Sequence, residues 1–184
     1  ASEELASEQR PDYLKRYLEL AGSEIDRVSA IVQRVRDLSR PQRNEDQITD
    51  LHATVDTVLA LCDRYLRHNQ VTVVRDLAEG LPQLLANADQ IRQVLVNLVL
   101  NAVESMPAGG TLTISTGLET SQGGLSVRIE VADNGAGMRP DDLDRAFEPF
   151  FTTKEQGLGL GLFISRGLIQ SAGGDICLES RHGS

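Results

Sequence analysis

Two asparagines, Asn97 and Asn101, stand one helical turn apart in the stretch QIRQVLVNLVLNAVESM, Gln90 to Met106. Asn is a mediocre helix former that prefers caps and turns, so a pair of amides inside a long helix asks for a reason. At helical spacing Ile91, Val94, Leu95, Leu98, Val99, Ala102 and Met106 share an apolar arc, while Gln90, Gln93, Asn97, Asn101 and Glu104 form a polar stripe. The stripe is either a solvated face that happens to carry amides, or a row of neutral oxygen ligands for a hard cation with phosphates attached. A second candidate lies in LSVRIEVAD. There Leu125, Val127, Ile129 and Val131 alternate with polar residues and face a core, and Asp133 continues on the same inward face. A carboxylate in that place is costly unless something pairs with it. It is either a turn residue ahead of Asn134 and Gly135, or an acceptor at the floor of a pocket, aimed at a donor such as the amino group of adenine. In the second case Gly135 and Gly137 let the backbone approach the base closely.

Two further stretches carry phosphate chemistry. AFEPFFTTK packs Phe147, Phe150 and Phe151 into five positions, as a core plug or as the anchor of a mobile segment, and Thr152, Thr153 and Lys154 follow at once. In GLGLGLFISRGLIQ the apolar residues Leu162, Phe163, Ile164, Leu168 and Ile169 keep a helical period. Gly157, Gly159 and Gly161, with Leu158, Leu160 and Leu162 between and after them, therefore read as a glycine-rich loop that opens a helix. Free amides and the positive end of the helix dipole meet a phosphate there. The loop is not a P-loop, because no Gly-Lys-Ser/Thr follows, nor a dinucleotide fingerprint, because no strand leads into it.

Composition limits what else the chain can do. It has 184 residues, a formal net charge of -9 and few aromatics. A nucleic-acid surface is excluded on this count, since phosphate backbones are held by clustered Lys and Arg. An anionic ligand must instead be held locally, by amides, a metal ion or one or two placed cations. Cys62 and Cys177 match no metal spacing and read as reduced thiols of a cytoplasmic domain. No apolar run approaches the ~18 residues of a membrane span, so no membrane contact is expected from this fragment, although a parent protein can be anchored elsewhere.

The elements that position these residues follow from periodicity. Leu14, Leu18, Ala21, Ile25, Val28, Val32 and Val35 alternate steps of four and three, a heptad seam on one long helix from Tyr13 to Leu38 that must pack on a partner helix. Pro41 ends it, and RPQRNEDQ is the domain boundary, giving 1–41 and 42–184. Beyond lie a short strand at Gln47–Leu51 and a helix over Ala53–Arg67 with Val55, Val58, Leu59 and Cys62 inward. Strands Val71–Leu77 and Gln83–Ala86 follow as a hairpin-like pair, and Asp89 caps the asparagine helix, which stops at Pro107. Strands Thr111–Leu118 and Leu125–Asp133 and a short helix at Asp141–Arg145 come next. The order predicts an α+β fold, a two-layer sandwich of one mixed sheet with helices on one face, preceded by the coiled-coil-type helix.

NLVLNA, DNGAG, FEPFFTTK and GLGLGL, in this order from Asn97 to Leu162, resemble the N, G1, F and G2 boxes of sensor histidine kinases. The resemblance runs from about Gln47 to Ser180, the ATP-binding domain, and implies the Bergerat-type sandwich shared with gyrase, heat-shock chaperone and mismatch-repair ATPases. The helix ending in RDLSRP is similar to the second helix of the family's dimerisation and phosphotransfer hairpin, which implies a homodimer. Position by position, Asn101 matches the asparagine that ligates Mg²⁺, and Asn97 the polar residue that lines the phosphates. Asp133 matches the adenine-reading carboxylate, with Gly135 and Gly137 shaping the base pocket. Thr152, Thr153 and Lys154 fall in the mobile lid, and Gly157 to Leu162 cover the phosphates, with Asn97 and Lys154 serving the transfer itself. The implied activity is transfer of the ATP γ-phosphoryl to a histidine, for relay to an aspartate of a response regulator.

Three departures qualify the match. His52, His68 and His182 do not occupy the family's phosphoacceptor position. Many relatives carry a basic residue a turn beyond the second asparagine, where this chain has Glu104 and Ser105. The sequence ends at HGS, where the family usually has a closing strand. The alternatives are an ATP-hydrolysing clamp of the same fold, which places a glutamate where this chain has Asn97, and a catalytically silent nucleotide-binding module that works by dimerising.

Overall fold

Strands and helices alternate through most of the chain. In the computed structural model, residues 47–121, 124–154 and 157–181 are described. In order they form β1 (Gln47–Thr49), α1 (Leu51–His68), β2 (Val71–Leu77), β3 (Leu84–Ala86), α2 (Ala88–Ser105), β4 (Gly110–Ser121), β5 (Gly124–Asp133), the single-turn α3 (Pro140–Leu143) and α4 (Gly161–Ser171). The helix expected over 13–38, its heptad seam and the boundary at Pro41 lie outside the described residues.

Helices α1 and α2 lay their apolar arcs against one face of the β-sheet. Val55, Val58 and Cys62 of α1 meet Leu95, Val99, Ala102 and Val103 of α2 and Val71, Leu112 and Ile114 of the strands in one buried cluster. Val127, Ile129 and Val131 of β5 pack against it half-buried, as their alternation predicts. Each fully buried Val, Leu or Ile of the cluster contributes about 1.5–3 kcal/mol. Cys62 is a free thiol inside this core and Cys177 a free thiol on the surface, and burial pushes the Cys62 thiol up from its ordinary value. Among the described residues no helix is long and apolar enough to cross a membrane.

The mixed α/β architecture stands, but its sheet is in two pieces. β2, β4 and β5 form a three-stranded sheet, and β1 pairs with β3 in a separate antiparallel ribbon. The expected pairing of Val71–Leu77 with the Gln83–Ala86 strand is therefore wrong. β2 runs parallel to β4, Val71 opposite Gly110 and Leu77 opposite Thr116. Parallel neighbours need a crossover connection, and α2 supplies it, so β2, α2 and β4 form a unit that leaves β3 on the way to the helix. β4 and β5 then form the long antiparallel hairpin, with Leu112 opposite Asp133.

Three smaller expectations also change. The N-cap of α2 is Asn87, whose side-chain oxygen accepts from the amides of Asp89 at 3.0 Å and Gln90 at 3.3 Å. Asp89 sits in the first turn, where a carboxylate suits the helix dipole, and pairs with Arg92. Leu125, expected in the core, is 67% exposed, as Leu118 is at 50%, because this end of the β4–β5 hairpin runs beyond the helical layer. Asp133 is exposed rather than buried.

Candidate nucleotide site

Helix α2 is the beam of the site. Its apolar arc is committed to the core, so Asn97, Asn101 and Glu104 are left on the side toward α4 and the 150–159 segment. Asn97 is half-buried, and its Nδ2 donates to Ser165 Oγ of α4 at 3.0 Å. Ser165 is only 2% exposed, so this bond ties the two helices in a dry place. A Cβ on Gly161 would collide with Asn97 Oδ1. A side chain at 161 would push the Asn97 amide out of its place against Ser165.

The 133–138 loop is clamped onto the C-terminal end of α2. The Ser105 hydroxyl, within 2.7 Å of the Ala102 carbonyl, donates toward Asp133 Oδ1 at 2.6 Å. The Gly135 amide donates to the same oxygen at 3.0 Å, and the Ala136 amide to the Ser105 carbonyl at 3.1 Å. Asn134 secures the other side, its Oδ1 accepting from the Thr111 amide at 2.7 Å. Gly135 must be glycine, since a Cβ would strike the Ser105 hydroxyl and carbonyl. Gly137 turns the chain away at φ +68, beside the Arg181 carbonyl. Asp133 thus keeps one oxygen fixed by protein donors and has its other, Oδ2, without a partner among the described residues. A carboxylate held this way, next to tight glycine turns, is placed to accept from one donor of an incoming ring.

The phenylalanine segment is not a core plug. Phe150 is 73% exposed and holds a positive φ of 66. Phe147 and Phe151 instead lie under guanidinium groups, Arg166 at 4.9 Å and Arg145 at 4.3 Å from the ring centroids. The Phe150 amide donates to the Gly159 carbonyl at 2.9 Å, which ties together the two ends of the segment carrying Thr152, Thr153 and Lys154. Thr152 Oγ1 accepts from the Lys154 amide at 3.1 Å, Thr153 is exposed, and the Gly157 amide donates back to the Lys154 carbonyl at 3.3 Å. Leu158 is exposed, while Leu160 and Leu162 are half-buried at the start of α4. Leu160 is the N-cap of α4 and offers no side-chain cap, so the first amides of the helix have no side-chain acceptor of the usual kind. Amides of this kind are placed to meet an anion beside Asn97.

Lys154 reaches across to α2. Its ammonium pairs with Glu104 Oε2 at 2.5 Å and lies 3.4 Å from Asn101 Oδ1. At the place where many relatives carry a basic residue, this chain has a carboxylate that pairs with Lys154. No cluster of three or more His, Cys, Asp or Glu exists among the described residues. A metal here would have Asn101 Oδ1 as its protein ligand and phosphates and water for the rest, a donor set suited to Mg²⁺. The ammonium already lying against Asn101 Oδ1 indicates that a cation fits there.

The sequence reading missed Ser105 and Ser165 as partners of Asp133 and Asn97. Ser165 is separated from Asn97 by 68 residues, so only the packing of α4 on α2 brings it there. A signal did exist for Ser105, which stood out only as something other than a base.

Comparison with known proteins identifies the family. The histidine kinase-, DNA gyrase B- and HSP90-like ATPase family matches residues 86–184. The sensor histidine kinase ZraS of Escherichia coli (strain K12) is 31% identical over 165 residues, 90% of this chain and 35% of ZraS. The chain therefore spans about a third of that curated relative's length. Full-length ShkA, solved in complex with AMPPNP, superposes with a TM-score of 0.66 at 30% identity, over 76% of this chain and 29% of ShkA. The histidine kinase ThkA, solved in complex with the response regulator protein TrrA, gives a TM-score of 0.69 at 28% identity, over 91% of this chain and 48% of that one. With the family matched over more than half its length and its relatives sensor kinases, this chain belongs to the histidine kinase-, DNA gyrase B- and HSP90-like ATPases.

Proposed function

We propose that the chain binds Mg-ATP and passes the γ-phosphoryl to a protein histidine that is none of His52, His68 and His182, for relay to an aspartate of a response regulator. The observation that carries this reading is the amide at position 97. It stands one turn before Asn101, where a hydrolysing clamp needs a carboxylate, and its nitrogen is tied to Ser165. An amide takes no proton from water, so ATP persists until a better nucleophile arrives. Phosphoryl transfer asks mainly for positioning and charge neutralisation.

In this reading Asp133 accepts from the adenine amino group and Gly135 and Gly137 admit the base. The α4 amides and the loop from Gly157 to Leu162 meet the phosphates, with Thr152, Thr153 and Lys154 closing over them. Asn101 would hold Mg²⁺, whose charge would offset that of the phosphates. Residues 1–41 act as the end of a helical hairpin through which two copies pair, and 42–184 as the catalytic domain, working in the cytoplasm. ShkA with AMPPNP and ThkA with its response regulator support the nucleotide and the partner class.

The test is incubation of this chain with γ-labelled Mg-ATP and a hairpin carrying a histidine. Acid-labile label should appear on the hairpin, and Asn101→Ala should abolish it while leaving metal-free nucleotide binding in place. Steady ATP turnover by the chain alone, lost in Asn101→Ala and not accelerated by the hairpin, would establish the clamp instead. Binding without either reaction would leave only a silent module.

A further inference from the structure

Glu104 has no part in the reading above, yet it makes a close contact with the lid. Glu104 and Asn101 are three residues apart on α2 and so share a face. Lys154 places its ammonium between them, 2.5 Å from Glu104 Oε2 and 3.4 Å from Asn101 Oδ1. The side chains of Lys154 and Glu104 are 41% and 34% exposed, so the pair is half-screened and easily opened. Among the described residues, the other bonds of this segment run within it: Thr152 to Lys154, Lys154 to Gly157 and Phe150 to Gly159. Among the described lid residues 152–154 and 157, Lys154 alone makes a side-chain bond or ion pair to α2.

We infer that Glu104 is a positioning residue for the lid: it holds the Lys154 ammonium on Asn101 Oδ1, the oxygen proposed for the metal, so that lysine and metal exchange at one place. The inference rests on the proposed nucleotide reading. Two cations cannot share one amide oxygen at close range, because their repulsion exceeds what a neutral ligand returns. Arrival of the metal with the triphosphate therefore moves Lys154 off Asn101 and toward the phosphates. Glu104 stays behind on α2, where an uncompensated carboxylate faces the phosphates. Its charge then opposes ATP that arrives without metal and favours ATP that brings one. A basic residue at this place would do the reverse, holding phosphate directly and making binding less dependent on the metal.

The experiment combines Glu104→Gln, Lys154→Gln and the double variant. Hydrogen exchange of the Thr152, Thr153, Lys154 and Gly157 amides in the protein without nucleotide reports the latch, and calorimetry of ATP with and without Mg²⁺ reports the exchange. Glu104→Gln and Lys154→Gln should each speed lid exchange by roughly two- to fivefold, the size expected for a half-exposed ion pair, and the double variant should go no further. Glu104→Gln should also raise metal-free ATP affinity and so shrink the Mg²⁺-dependent gain. Lid exchange unmoved by Glu104→Gln, or additive effects in the double variant, would overturn the inference while leaving ATP binding intact. Failure of the parent chain to bind ATP under any condition would overturn the nucleotide reading itself.

Discussion

Asp133 is made useful by being fixed rather than by being buried. The Ser105 hydroxyl and the Gly135 amide both address Oδ1, which sets the plane of the carboxylate before any ligand arrives. In the proposed reading, Asp133→Asn replaces a carboxylate acceptor by an amide that presents a donor to the adenine amino group. ATP affinity should fall roughly tenfold to a hundredfold by calorimetry, the worth of one hydrogen bond to a charged group. Unchanged affinity would make Asp133 a turn residue only. The residue's type and its place at the end of an alternating strand were legible from the sequence, because a strand's period is local. Its exposure was not, since the β4–β5 edge at Asp133 is open in a way that alternation alone does not encode. The same division holds for Asn97, whose place on the polar stripe was readable while its bond to Ser165 depends on tertiary packing.

At the scale of elements, α1, α2 and α4 were legible from their apolar arcs, and the errors fell on starts and pairings. Asn87 and Asp89 are both good caps, two residues apart, and type alone does not choose between them. The winner is Asn87, which is 3% exposed where β3 meets α2 and reaches two amides at once. Asn87→Ala should lower stability by about 1 kcal/mol and the melting temperature by roughly 3 °C, while Asp89→Ala should cost less because its pair with Arg92 is on the surface. Equal losses in the two variants by thermal unfolding would restore Asp89 as the cap. Strand pairing failed for a different reason. The short gap between Leu77 and Leu84 imitates a hairpin connection, but the partner of β2 is decided by the crossover through α2, which no local pattern reveals.

At the scale of the whole molecule, the residues assigned to the nucleotide all fall within one compact unit, Asn44–Ser184, with its own hydrophobic core. A unit with its own core can fold alone. The heptad spacing from Leu14 to Val35, by contrast, is a sequence pattern that, read as a helix, calls for a helical partner. Binding and transfer should therefore separate on truncation. Removing residues 1–43 should leave ATP affinity within about twofold of the parent chain, because no assigned ligand-binding residue is lost and the core is untouched. It should also abolish self-association in sedimentation and lower the rate of transfer to an added histidine hairpin, since the hairpin must then find the catalytic unit by free diffusion rather than through a docked helix. The decisive comparison is transfer rate against hairpin concentration for the two lengths. A truncated chain that saturates at the same hairpin concentration, and with the same maximal rate, would mean that residues 1–43 play no part in docking.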